Sequence, residues 1–291
     1  MSNELSKETA LVIVCAHHSE AESSIEALKL KRLHGLTHFA VFANQHYALI
    51  ESGQGATNAA CAVGHMAGLL APNNPAWINI GVAGHASRNI GDLLIAHRIV
   101  DNNSGESHFP ATGLFRNIDS TSLRSFATVN LNYSGDEAYD MEAWSFFAAA
   151  ARFSNLESIQ SIKIISDNAE HPACDLSDKS ARKHIAELIR QHQATITKIA
   201  ETMADEVFTQ RKRHRLPDVY SSLLAHYHFT ENQKFQLQQL LRQLQMLSPT
   251  TTNDIMREVG KALSFKNSRQ LLEHLQQRYL ELCEQHYSLQ Q

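Results

Sequence analysis

Glycine placement constrains this chain more than any other feature. Eleven of the twelve glycines lie at or before Gly135, and only Gly260 follows. Glycine serves tight strand-to-helix turns because it adopts backbone angles that other residues avoid. The first half is therefore expected to be a turn-rich α/β layer structure, and the second half mostly long helices.

Hydrophobic periodicity points the same way. The run Ala10-Leu-Val-Ile-Val-Cys-Ala16 suits a buried strand, as do Tyr47 to Ile50, Trp77 to Ile80, Leu93 to Ala96 and Ile162 to Ile165. Between them Glu20 to Leu33, Ala56 to Leu70 and Met141 to Arg152 read as helices. Strands alternating with helices predict a three-layer αβα sandwich around a twisted, mainly parallel mixed sheet. Ile185, Leu188, Ile189, His192, Ile196, Ile199, Met203 and Val207 then mark one face of a single long helix. It ends in the basic cluster Arg211 to Arg215, read as a solvated helix end.

Beyond Pro217 the composition turns Gln- and Leu-rich and offers no strand candidate. Leu237, Leu240, Leu241, Leu244 and Leu247 form one helical stripe. Ile255, Val259 and Leu263 suggest a second helix, and Leu271, Leu272, Leu275, Tyr279 and Cys283 a third. The reading is a catalytic domain over 1–215 and an all-helical C-terminal appendage over 216–291.

A net charge of −4 (26 basic against 30 acidic residues) gives no expectation of nucleic acid or an anionic membrane as partner. The four cysteines, Cys15, Cys61, Cys174 and Cys283, are scattered without metal-ligand or dithiol spacing, which fits a reduced, cytoplasmic protein. No early apolar run is long enough to span a bilayer. Neither His17-His18 nor His226-Tyr-His228 has partners at zinc-like spacing, so no metal is expected. His17, close to Glu20, stands at the mouth of the candidate site described next.

Three segments have the character of ligand-binding turns at strand ends. The first, Glu51-Ser-Gly-Gln-Gly-Ala-Thr-Asn58, uses Gly53 and Gly55 to bring backbone amides near a helix N-terminus. The third glycine of a dinucleotide fingerprint would fall at Asn58, so a Rossmann site is excluded. An ordinary tight turn and a ligand loop fit this stretch equally. The second segment is Asn79-Ile-Gly-Val-Ala-Gly84, containing Val82, Ala83 and Gly84, followed by Gly91-Asp92. The third pairs Met141-Glu142 with Ser166-Asp167, carboxylates at a helix start and just past a strand end. Taken singly, Asp167 could be a helix cap and Glu142 a helix-dipole partner.

Taken in order, these segments resemble the nucleoside phosphorylase/nucleosidase superfamily, most closely the 5'-methylthioadenosine/S-adenosylhomocysteine nucleosidases. The likeness runs from about Leu11 to Ala204. It implies that Ser52 to Ala56 is the ribose-side loop, that Glu142 grips the ribose hydroxyls beside Met141, and that Ser166-Asp167 delivers a proton to the base. Glu20 matches the nucleosidases' water-activating glutamate. The chemistry is coherent by itself: breaking an N-glycosidic bond builds positive charge on the sugar and negative charge on the base, which calls for an acid at one end and carboxylates at the other.

The resemblance also implies a small-molecule nucleoside as partner, no metal or organic cofactor, and a homodimer. Superfamily phosphorylases hold phosphate with arginines, yet Cys15 to Glu22 and Trp77 to Gly81 contain neither Arg nor Lys. Hydrolysis is therefore expected, with phosphorolysis as the enzymatic alternative. A non-catalytic nucleoside-binding regulator is the rival from another class, its Asp254 to Leu280 forming a helix-turn-helix-like module. Two departures bear on the substrate: the stretch Phe126 to Asp140 is short for the family's base-binding wall, and Lys163 stands where the family usually has arginine.

Overall fold

The computed structural model describes residues 5–35, 38–173, 178–214, 216–217, 219–247 and 265–288. Contacts divide the chain into two compact units, Met1–Phe208 and Thr209–Gln291.

The first unit is built on ten strands: β1 (Leu11–Cys15), β2 (Lys31–Arg32), β3 (Ala40–Ala43), β4 (Tyr47–Glu51), β5 (Ala76–His85), β6 (Leu93–Asp101), β7 (Ser107–His108), β8 (Ser120–Ser125), β9 (Glu137–Asp140) and β10 (Ile159–Asn168). The apolar runs β1, β4, β5 and β10 pair in parallel, in the order β4-β1-β5-β10. β-Branched residues buried on both faces make these the spine of the sheet.

The strand alternation of β1 sets the layers. Val12 and Val14 face one core with α2 (Ala56–Leu70) and α3 (Ala143–Ala150), which pack on each other. Leu11, Ile13 and Cys15 face the other, with α1 (His18–Ala27), α4 (Lys179–Gln191) and α5 (Gln193–His214). Helices therefore cover both faces.

Among the described residues the sheet is mixed as expected: the two longest ladders, β5–β10 and β6–β8, are parallel, and the antiparallel pairings are shorter. Three features differ from the sequence expectation. First, the sheet closes on itself, since β5, β10, β6, β8 and β9 pair in a ring. The cause is a set of short, polar strands such as Ser120-Thr-Ser-Leu-Arg-Ser125 and Glu137-Ala-Tyr-Asp140, whose weak apolar pattern hid them. Secondly, the expected long helix is two helices. The chain breaks at His192, whose ring Nε2 lies 2.6 Å from the Gly91 carbonyl, and α5 begins at Gln193. Tertiary bonding to the Gly91-Asp92 turn thus overrides a continuous apolar stripe. The expected helix from Glu20 is likewise shorter, ending at Ala27 before the edge strand β2.

The second unit contains α6 (Val219–His226), α7 (Glu231–Leu247) and α8 (Ser268–Ser288). Its core joins Leu223, Phe229, Leu237, Leu241, Leu244, Leu271 and Leu275. The stripes read from α7 and α8 supply that core, while the expected helix at Ile255, Val259 and Leu263 lies outside the described residues. No described helix is long and apolar enough to cross a membrane.

Ile13 lies in the middle of β1 and is fully buried. Ile13→Ala should lower unfolding free energy by about 2–5 kcal/mol and Ile13→Val by about 0.5–1.5 kcal/mol, because the second change leaves a smaller void. Denaturant titration of the two variants checks this ordering.

Candidate active site

A cavity of about 430 Å³ opens at the C-terminal ends of β1, β5 and β10. Ends of strands in open α/β sheets are where ligands bind, because backbone and loops converge there without a covering helix. Of the residues singled out in the sequence, Glu20, Val82, Ala83, Gly84, Met141, Glu142, Ser166 and Asp167 line it. Gly53 and Gly55 do not; Gln54 between them does.

Glu20 sits in the first turn of α1 with little exposure. Its Oε2 accepts the amides of Ala16 (2.8 Å) and His17 (3.1 Å), and its Oε1 accepts that of Val82 (3.1 Å). Three backbone donors fix a buried carboxylate more rigidly than side chains could. The glycines of the second turn create the room. A Cβ on Gly81 would sit 2.8 Å from Glu20 Oε1, and one on Gly84 would collide with Asp167 Oδ2.

Glu142 lies at the mouth of α3, and its Oε1 accepts the Gly55 amide at 2.7 Å. Gly55 precedes α2 with φ 97°, a conformation that disfavours a side chain, so the turn exists to aim this amide. The glycine loop therefore orients Glu142 through the Gly55 amide, while its Gln54 lines the cavity.

Behind Glu142 is an ion pair that is almost sealed from solvent: Lys163 Nζ lies 2.8 Å from Asp140 Oδ2. Asp140 Oδ2 also accepts the Ala143 amide (2.8 Å), and its Oδ1 accepts the Ser125 hydroxyl (2.6 Å). Burial opposes the charged form of Lys163, but Asp140, Glu142 and Glu20 outweigh it and raise its pKa. For Glu142 burial dominates. Lys163 opposes it, Asp140 and Glu20 reinforce it, and the carboxyl is pushed up to about 7.

Asp167 enters the cavity through a backbone irregularity. In the β5–β10 ladder Ile165 pairs with Ala83 and Asp167 with Gly84, so Ser166 is an extra residue, a bulge. Regular alternation would send Ser166 and Asp167 to opposite faces; the bulge lets both line one cavity. The two Asp167 oxygens accept hydroxyl donors, Ser166 Oγ at 2.5 Å and Tyr133 at 2.6 Å. Burial and the bond to Asp167 push the Tyr133 phenol up to about 12, so it remains a neutral donor.

Several participants escaped sequence reading. Tyr133 lies in the irregular segment between β8 and β9, which carries no periodicity to flag it. Lys163 is singled out in the sequence only as standing where the family has arginine; as a lone charge inside an apolar strand it also carries the signal of a paired group. Asp178, Ser180, Ala181 and His184 of the α4 region, and Val129 and Asn130, reach the cavity only through tertiary packing. No described lining residue is Arg or Lys, and no group of described His, Cys, Asp or Glu is placed to hold a metal.

Strand order and flanking helices make a mixed α/β fold that this chain shares with solved nucleosidase structures. Solved structures that share it include the 5'-methylthioadenosine nucleosidase of Arabidopsis thaliana, at 14% identity and a TM-score of 0.55 over 67% of this chain and 96% of that one. A second is the 5'-methylthioadenosine/S-adenosylhomocysteine nucleosidase of Helicobacter pylori, at 17% identity and 0.52 over 68% and 98%. The futalosine hydrolase of Helicobacter pylori gives the same values, 17% and 0.52 over 68% and 98%. About a third of this chain lies outside each match. No protein-family model and no curated protein matches the sequence.

The Glu142 environment generates a titration. The carboxyl should change ionisation near pH 7 in the folded protein, visible as a side-chain carbon shift in glutamate-labelled protein and absent from Glu142→Gln. Because its folded pKa lies above the usual 4.5, this group's contribution to stability is present at low pH and lost as pH rises toward about 7. The stability difference between Glu142→Gln and the unmutated protein should therefore move in the variant's favour across that window.

Proposed function

We propose that the protein is a nucleosidase that hydrolyses the N-glycosidic bond of a purine nucleoside, releasing free base and sugar. The observation that carries this reading is the convergence of three carboxylates, Glu20, Glu142 and Asp167, on one cavity with their hydrogen-bond partners in place. The shared fold with enzymes named as nucleosidases and a futalosine hydrolase supports it.

In this reading Asp167 faces the base and Glu142 the ribose hydroxyls, with Met141 against the sugar. As the bond from C1' to the base nitrogen lengthens, its electron pair moves to the base, which takes a proton from Asp167. The sugar gains oxocarbenium character, which the ionised Glu142 and Glu20 stabilise. Water adds at C1' and gives up a proton to Glu20, whose pinned oxygens hold the attacking molecule in position. Lys163 behind the cavity and Asp140 at its lining act by fixing Glu142. No step calls for a metal or organic cofactor. We assign this chemistry to residues 1–215 and treat 216–291 as an accessory helical module, and we propose a homodimer.

Hydrolysis is favoured over phosphorolysis because a phosphate near dianionic charge needs cationic donors. The described lining holds no Arg or Lys, and the nearby Lys163 is engaged by Asp140. Base release should therefore proceed in phosphate-free buffer and yield free sugar, followed by chromatography of the products. A sugar 1-phosphate as main product would overturn this and favour the phosphorylase.

Asp167→Asn keeps the size of the side chain but removes the transferable proton and one of the two oxygens that accept the Ser166 and Tyr133 hydroxyls. Turnover should fall about 10²–10⁴-fold with the fold retained and with a smaller change in KM. Full turnover by the variant would remove Asp167 from the chemistry. Absence of base release by the unmutated protein from any nucleoside would support the regulator instead.

A further inference from the structure

A general acid must hold its proton on the right oxygen, and Asp167 has two. Their surroundings differ. Oδ1 meets the Ser166 hydroxyl at 2.5 Å and Oδ2 the Tyr133 phenol at 2.6 Å. Ser166 lines the cavity and Tyr133 does not, so Oδ1 is the oxygen beside the cavity-lining hydroxyl. Gly84 makes room for Oδ2 and its partner: a Cβ there would collide with Oδ2 and come within 3.0 Å of the Tyr133 ring.

Tyr133 is well anchored for a residue of an irregular segment. Its oxygen accepts the Ala173 amide at 3.1 Å, and its single proton goes to Oδ2. Beside it, the Ser134 amide donates to the Tyr139 hydroxyl at 3.1 Å, and that hydroxyl donates to the Ser134 carbonyl. Tyr139 pairs with Gly84 across the β9–β5 ladder, so the segment is tied to a strand of the site. The two hydroxyls on Asp167 differ in freedom. That of serine can donate to an ionised carboxylate or turn to accept from a protonated one. The phenol proton has one partner, and burial together with that bond keeps it on tyrosine.

We propose that Tyr133 is a positioning residue that occupies Oδ2 of Asp167 with its own proton and so confines the transferable proton to Oδ1. The proposal rests on the nucleosidase reading. As the bond from C1' to N9 breaks, its electron pair passes into the purine. The Oδ1–H bond breaks, an N7–H bond forms, and Asp167 is left as a carboxylate. The Tyr133 hydrogen bond thereby becomes charge-assisted and roughly twice as strong. It therefore favours the transition state over the bound substrate, which raises kcat and leaves KM largely alone. A tyrosine that only packed the segment would act on folding, whatever residue stood at 167.

The test measures kcat and KM for base release from adenosine, inosine and 5'-methylthioadenosine by the unmutated protein, Tyr133→Phe, Asp167→Asn and the double variant. Tyr133→Phe keeps the ring and removes the donor. Its kcat should fall about tenfold, the difference between a hydrogen bond to a charged group and one to a neutral group, with KM changed much less. In the Asp167→Asn background the same change should cost nothing further, because no transferable proton remains to be placed. A kcat unchanged by Tyr133→Phe overturns this inference. So does an equal loss in both backgrounds, which is what a damaged fold would produce. Either result leaves the nucleosidase reading intact. Base release from none of the three compounds by the unmutated protein overturns both.

Discussion

The buried Lys163–Asp140 pair is the interaction on which the site depends. An ammonium sealed inside the protein is tolerable only where carboxylates surround it, and here Asp140, Glu142 and Glu20 do so. Asp140 and Glu142 lie two residues apart where β9 leads into α3, and Glu20 lies far away in α1, so one cation on β10 lies among carboxylates from two distant segments. Removing one partner of such a pair typically costs about 3–5 kcal/mol, because the other charge is stranded. The cluster also links the candidate chemistry to the fold: whatever moves Lys163 changes the field at Glu142 and Glu20 together.

Two glycine turns complete the arrangement from the opposite side. One presents the Gly55 amide to Glu142, and the other keeps Gly81 and Gly84 bare where Glu20 and Asp167 approach the backbone. Each carboxylate is thus oriented by main-chain donors or tightly placed hydroxyls. A site organised this way needs little rearrangement when charge develops in a bound ligand, which is the physical basis of electrostatic preorganisation.

The fold was legible in its apolar strands. β1, β4, β5 and β10 announce themselves as short β-rich runs because they are buried on both faces, and the stripes of α7 and α8 do so because each helix has one buried side. The strands that close the sheet into a ring were not legible. β8 and β9 are short and half polar, and their pairing with β6 and β5 is decided by long-range contact. The break at His192 was hidden for a similar reason, since the apolar spacing on either side is continuous and only the bond to Gly91 interrupts it.

By itself, the sequence determined which chemical groups were available and roughly where: the order of glycine turns, Glu20, the Met141-Glu142 pair and Ser166-Asp167. Local pattern carries that information because turns, caps and buried strands each constrain residue type over a few positions. Tertiary structure alone decided how those groups meet. The bulge at Ser166 brings Asp167 into the cavity, Tyr133 reaches it from an irregular loop, and Lys163 becomes the shared counter-charge. It also brought the start of α4 to the cavity that His17 lines. None of these can be read from spacing, because each depends on the register of strands and the packing of helices far apart in the chain.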